Sequence, residues 1–238
     1  MTWSILARDD NGHFGAAIAS RFFSVGALCV HTRRGVGAIA TQALMNPLYG
    51  PAGLDLLAQG QDGAATIAAL VAGDDGRAQR QLHVLPARGM GAAHTGVECV
   101  DWCGHLLRDG FSVAGNMLAG QRVIEATADA FASSKGVDLA ERLLDAMDAG
   151  EAAGGDKRGK QSAALRLHGE EDYLALDLRV DDHEDPLREL RRLHAVSLER
   201  FQPFLSCLPG RGRPSGTIDR PTIEATIKRF HAQRKGTQ

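Results

Sequence analysis

The chain has 238 residues, enough for one large domain or one domain with a tail. Its hydrophobic share of 44%, charged share of 24% and net charge of −2 exclude a disordered, coiled-coil or strongly basic protein. Aromatics at 5% are too few for a base-stacking surface, so nucleic acid is not an expected partner. Four cysteines in so long a chain do not make a disulfide scaffold. The opening Met1-Thr2-Trp3-Ser4-Ile5 lacks the basic segment and apolar run of a signal peptide. No apolar run reaches the roughly 18 residues a membrane span needs. The expectation is a cytoplasmic chain with no membrane partner.

The first forty residues read as strands. Trp3, Ile5 and Ala7 alternate with Ser4, Leu6 and Arg8, and Asp9-Asp10-Asn11-Gly12 has the chemistry of a hairpin turn. The return strand, Phe14 to Ala19, is small or apolar throughout, which predicts cover on both faces. Runs at Gly26–His31 and Val36–Thr41 flank the basic turn Thr32-Arg33-Arg34-Gly35, so four strands are expected before any helix. A short helix is expected around Leu54 and Leu57. A second is capped by Asp62, carries Ile67, Leu70 and Val71, and ends at Asp74-Asp75-Gly76.

Strands resume at Gln81–Leu85, Gly91–Thr95 and Phe111–Ala114. Helices follow at Gln121–Ser133 and Asp138–Met147, the latter with Asp138 and Glu141 in capping-box spacing and Gly150 to close it. Two more strands, Ser162–His168 and Tyr173–Val180, precede a helix opened by Pro186 that carries Leu187, Leu190, Leu193 and Phe201. This order predicts an α+β protein of stacked, mainly antiparallel sheets. The domain is expected over 1–205. Residues 206–238 are expected as an extended tail with at most a short helix near Ile223–Phe230.

Thr2 is the most informative position. A small residue after the initiator methionine permits removal of Met1, which would place a hydroxyl nucleophile and a free α-amine on one residue. The plainer reading makes Thr2 merely the first residue of a strand. Asn116, after Gly115 at a strand end, is either an oxyanion donor or a turn-forming amide. Gly154 to Lys160 fits a phosphate loop until Gln161 takes the Ser/Thr position, and the order helix, loop, strand is the reverse of that motif's. The segment reads instead as a substrate-facing loop offering Asp156, Arg158 and Ser162, or as a solvated charged loop. His94, Glu98, Cys99, Cys103 and His105 form the one cluster that resembles metal ligands, but reduced cysteines without metal are the expectation.

A set of segments carries a resemblance to a known group. They are Thr2-Trp3-Ser4-Ile5, Ala19-Ser20-Arg21-Phe22, Ala40-Thr41-Gln42 with Asn46-Pro47, Thr95-Gly96, Gly115 to Gly120, and Gly154 to Ala163. Together they resemble an uncharacterised bacterial family placed in the N-terminal nucleophile (Ntn) hydrolase superfamily. The opening hairpin looks like that of proteasome β-type subunits. The resemblance implies a four-layer αββα sandwich and an amidohydrolase that cleaves a small amide, non-peptide or short peptide, with Thr2 as nucleophile. It implies Thr2, Asn116 and Asp156 as catalytic residues, with Ser20, Arg21, Thr41, Gln42, Arg158 and Ser162 contacting substrate. It implies no metal and no cofactor, and leaves room for a homo-oligomer. The proteasome-type aspartate falls near Ala19, and the third-strand lysine has no clear counterpart, with His31, Arg33 and Arg34 nearby. A catalytically silent Ntn fold that binds a ligand or serves in assembly is the competing expectation.

Overall fold

A computed structural model describes residues 2–235. The chain divides into two compact units, 1–190 and 191–238. The first unit opens with β1 (Thr2–Arg8), β2 (Phe14–Ser20), α1 (Val25–Leu28), β3 (Val30–Arg33) and β4 (Gly37–Ala43). It continues through α2 (Tyr49–Ala58), α3 (Gly63–Ala72), β5 (Arg80–Pro86), β6 (Ala92–Thr95), β7 (Gly104–Arg108) and β8 (Phe111–Asn116). Then come α4 (Arg122–Ser133), α5 (Leu139–Ala152), β9 (Ser162–His168), β10 (Leu176–Val180) and the start of α6 (Pro186–Glu199).

The strands form a six-stranded sheet, β10-β9-β2-β1-β8-β7, and a four-stranded sheet, β3-β4-β5-β6. Every pairing is antiparallel. Helices α4 and α5 cover the outer face of the first sheet, and α2 and α3 cover that of the second. Strands β1 and β2 pack on β3, β4 and β5 between the layers. The result is the expected αββα stack, with β1 in the middle of its sheet.

Strand alternation decides what each layer holds. Between the sheets, Leu6, Phe14, Ala16, Ile18, Ala38, Ala40 and Leu85 form an apolar cluster. On the far side of the second sheet, Ile39, Leu82 and Val84 pack with Tyr49, Leu54, Leu57 and Ile67. Thr2 and Ser4 share the face of Leu6, Gln42 that of Ala38 and Ala40, and Gln81 and His83 that of Leu85. The layer between the sheets is therefore apolar at one end and polar at the other.

Local signals behave as their chemistry dictates at several points. Asp62 caps α3 through the Ala65 N–H at 2.8 Å, and Asp138 caps α5 through the Ala140 N–H at 2.9 Å. Elsewhere packing overrides the pattern. The expected strand from Gly26 is instead a helical turn, α1, entered through Ser24 at φ 55°. A Cβ on Gly26 would collide with Ala164 of β9, so the turn lies flat against that strand. Helix α5 runs through Gly150 to Ala152, because a Cβ at 150 would meet Thr127 and Trp3; this glycine marks close packing rather than a helix end. Edge strand β7, absent from the expectation, pairs only with β8. The helix opened by Pro186 stops at Glu199, and Phe201 begins the next one.

In the second unit, α7 (Phe201–Leu205) and α8 (Arg220–Lys235) are joined by an Arg200–Glu224 ion pair at 2.6 Å. Where at most a short helix was expected, α8 has 16 residues.

Candidate functional site

The register of the six-stranded sheet sets four polar residues in one row. Ser162 of β9 lies opposite Ser20 of β2, Ser20 opposite Thr2 of β1, and Thr2 opposite Asn116 of β8. Directly opposed residues share a face, so all four side chains point toward the second sheet. Thr2 Oγ1 lies 3.1 Å from Ser20 Oγ. Thr2 is 6% exposed and Asn116 1%.

The second sheet answers with a row of its own. Gln42 and Gln81 are cross-strand neighbours on β4 and β5. Gln42 Nε2 donates to Gln81 Oε1 at 2.8 Å and to the Thr2 carbonyl at 3.4 Å. Gln81 Oε1 also accepts from Asn116 Nδ2 at 3.0 Å, while Gln81 Nε2 faces Gly115 O, Thr95 Oγ1 and Gly104 O at 2.9 to 3.1 Å. Gln81 thus holds the amide of Asn116 and both ends of its own network.

One residue deeper, the hydrogen bonds fix a proton direction. Ser4 Oγ donates its hydrogen to Gln42 Oε1 at 2.7 Å, so its 2.8 Å contact with His83 Nε2 must be received from the imidazole. Burial pushes the His83 imidazolium down to about 3, with His105 adding repulsion, so the ring is neutral and carries its hydrogen on Nε2. Nδ1 then accepts from Ser112 Oγ at 2.8 Å. Hydrogen bonds therefore point one way, from Ser112 through His83, Ser4 and Gln42 to the Thr2 carbonyl. Satisfying every member is what permits so polar a layer inside the stack.

Asp156 and its loop stand beside this row. The carboxylate accepts the Arg21 N–H at 3.0 Å and the Arg158 N–H at 2.8 Å, with Arg158 Nη2 at 3.4 Å. It clamps the chain just after Ser20 to the loop between α5 and β9, and no hydrogen bond joins it to Thr2 among the described residues. The free α-amine expected on Thr2 depends on Met1, which lies outside the described residues. Ser162 is occupied with the 21–25 segment, accepting from Val25 N at 3.1 Å and donating to Phe22 O at 2.5 Å. Thr41 Oγ1 accepts from Asn46 N at 3.2 Å, and Arg21 Nη1 donates to Lys160 O at 3.1 Å. The structure sets Thr2 between Ser20 and Asn116 in one row, with Gln42 on the Thr2 carbonyl and Gln81 linking Gln42 to Asn116, and ties Asp156, Arg21 and Arg158 into a neighbouring clamp. Of the basic residues weighed beside the opening strands, the His31 ring packs on Gly50 of α2 and Arg33 pairs with Asp55 at 2.8 Å.

A cavity of about 400 Å³ opens at Asn116 and Met117, lined further by Ala43, Leu44, Gln79, Glu98, Cys99 and Val100. Ala43 at φ 65° and Met117 at φ 54° are two of three non-glycine residues in the left-handed region among the described residues. Ala43 is the last residue of β4 and Met117 follows the last residue of β8, where the two polar rows meet the cavity, and such conformations persist where surrounding contacts enforce them. Burial raises the thiols of Cys99 and Cys103, so both stay protonated; Cys99 Sγ donates to Arg80 O at 3.3 Å. His94 and His105 are bound to Arg77 O and Thr95 Oγ1. Among the described residues no group of three or more metal-ligating side chains converges.

The residues that sequence reasoning missed are Ser4, Gln81, His83 and Ser112. Their one signal was polar side chains in strands whose neighbours are apolar.

Fold and site together define an α+β protein of two stacked antiparallel sheets with a polar, cavity-edged end. The chain belongs to DUF1028, a family of unknown function, whose profile matches residues 2–190. It is similar to protein SPO2555 from Silicibacter pomeroyi, a DUF1028 crystal structure, at 29% identity over 92% of this chain and 96% of that one, with a TM-score of 0.85. It also matches Anbu, an ancestral β-subunit from Yersinia bercovieri, at 13% identity over 87% and 98% of the two chains, with a TM-score of 0.41. No curated protein matches it at a significant level. No helix among the described residues is long and apolar enough to cross a membrane.

Proposed function

We propose that the chain is an amidohydrolase of the N-terminal nucleophile type, cleaving a small amide through Thr2 once Met1 has been removed. The reading rests on one observation above all. Thr2 heads a central strand directly opposite Asn116, and Asn116 lines the cavity. In this reading the Thr2 α-amine, with an ordinary pKa of roughly 7.7–8.0, takes the proton of Oγ1 as the oxygen adds to the amide carbon. Asn116 Nδ2 has one hydrogen committed to Gln81 and a second to offer the developing oxyanion, beside backbone N–H donors. Collapse of the tetrahedral adduct breaks the C–N bond, and the leaving amine takes the proton back. Water then hydrolyses the threonyl ester with the same amine as base. Ser20 holds the attacking oxygen, and Gln42 holds the carbonyl of the same residue.

A second reading has its own observation. Thr2 is only 6% exposed and the Asn116 amide is already engaged, which suits a non-catalytic fold that binds a ligand or assembles. One experiment separates the two. Protein from its native host is weighed by intact mass, and material beginning at Thr2 is screened against small amides and N-acyl amino acids. Turnover that Thr2→Ala abolishes and Thr2→Ser partly keeps supports the hydrolase. Retained Met1 with no turnover, or Thr2→Ala working as fast as wild type, overturns it.

A further inference from the structure

The cavity beside Asn116 has a chemical bias that the nucleophile reading does not use. Of its eight lining residues, Glu98 carries the only formal charge, and Leu44, Val100, Ala43 and Met117 give it apolar walls. Gln79 Nε2 donates to Glu98 Oε2 at 3.0 Å, holding the carboxylate at the cavity. Among the described residues Oε1 makes no hydrogen bond. The backbone below it is fixed as well, with the Glu98 N–H on Ala78 O at 2.7 Å. Nearby Arg80 does not neutralise the site from within: it pairs with Asp74 at 3.0 Å and turns its Nη1 to the Leu44 and Met45 carbonyls. Those last bonds secure the wall that carries Leu44.

We propose that this cavity selects a small amide bearing a cationic group, an ammonium or guanidinium, on a short apolar segment. The amide end lies toward Asn116, the segment against Leu44 and Val100, and the cation at Glu98 Oε1. This rests on the proposed amidohydrolase for its reactive end, but the charge preference is a property of the cavity and is measurable without turnover. An anionic counterpart meets a carboxylate with no cation among the lining residues to receive it. Glu98 is exposed, so the preference is modest in size.

Three matched probes test it: ε-aminocaproamide, its uncharged isostere heptanamide, and adipamic acid. Each is titrated by calorimetry or NMR into wild-type and Thr2→Ala protein at low ionic strength. The expected order is ε-aminocaproamide first, about threefold to fivefold tighter than heptanamide, and adipamic acid last. Glu98→Gln should bring the first two to parity, and Glu98→Lys should place adipamic acid first. Equal binding of the three, no detectable binding of any, or a cationic preference that survives Glu98→Gln overturns the assignment. The two proposals fail separately. Selective binding with no hydrolysis by protein beginning at Thr2 sinks the hydrolase and leaves the cation site. Hydrolysis of heptanamide and ε-aminocaproamide with equal kcat/KM sinks the cation site and leaves the hydrolase.

Discussion

Thr2 Oγ1 and Ser20 Oγ face each other at 3.1 Å across the β1–β2 pairing, both inside the stack. A buried hydroxyl that loses such a partner forfeits about 1 kcal/mol, more if nothing replaces it. Ser20→Ala is expected to lower the urea midpoint by a corresponding amount. If Ser20 orients the Thr2 hydroxyl, turnover of any amide substrate should also fall about tenfold with KM little changed, since this contact does not touch substrate. Unchanged kcat would leave Ser20 with a purely structural part.

Gln81 bonds to five partners, Gln42, Asn116, Thr95, Gly104 and Gly115. Gln81→Leu keeps volume but takes away the acceptor of the Asn116 amide, one of the two acceptors of the Gln42 amide, and a donor to the Gly104 and Gly115 carbonyls. At about 1–3 kcal/mol per unsatisfied group, and allowing for relaxation, a loss of about 3 kcal/mol or more is expected. Thermal unfolding should show a drop of many degrees, against a small change for exposed Gln79→Leu.

His83 sets a pH dependence with a definite sign. Its folded value, about 3, lies below the ordinary 6.5 it has when unfolded. As pH falls below about 6.5 the unfolded chain binds a proton that the folded chain refuses, so its contribution is present above that value and lost toward pH 3. The slope approaches about 1.4 kcal/mol per pH unit from this residue. Burial lowers His31, His105 and His168 as well, which steepens the same limb. Urea melts at pH 7, 6 and 5 should show this decline, and His83→Gln should remove close to one proton from it.

Asp156 is expected to act by holding backbone. Asp156→Ala removes the acceptor for the Arg21 and Arg158 N–H groups and should cost about 2–4 kcal/mol. Asp156→Asn keeps one acceptor oxygen and should recover part of this. Hydrogen exchange at the Arg21 and Arg158 amides reports the clamp directly: both should exchange faster in Asp156→Ala, and unchanged rates would count against it.

Some of this protein was legible in its residues alone. The Asn11-Gly12 turn, the caps Asp62 and Asp138, and the doubly covered β2 follow from local chemistry that acts within a few residues. Thr2 and Asn116 were legible as candidates because strand ends and resemblance both pointed there. Gln81, His83, Ser4 and Ser112 were not. In a strand covered on both faces, polarity no longer marks the solvent side, so an isolated glutamine or histidine says nothing about which layer it enters. That assignment needs the second sheet in place. Asp156 shows the same limit: the sequence offered a carboxylate in a loop, and only the approach of β2 to that loop made it an acceptor for Arg21. Positions 2, 20, 116 and 162 form one row because antiparallel register aligns strands far apart in the chain. Register is set by which faces can be buried together, and that is a property of the packed stack rather than of any one strand.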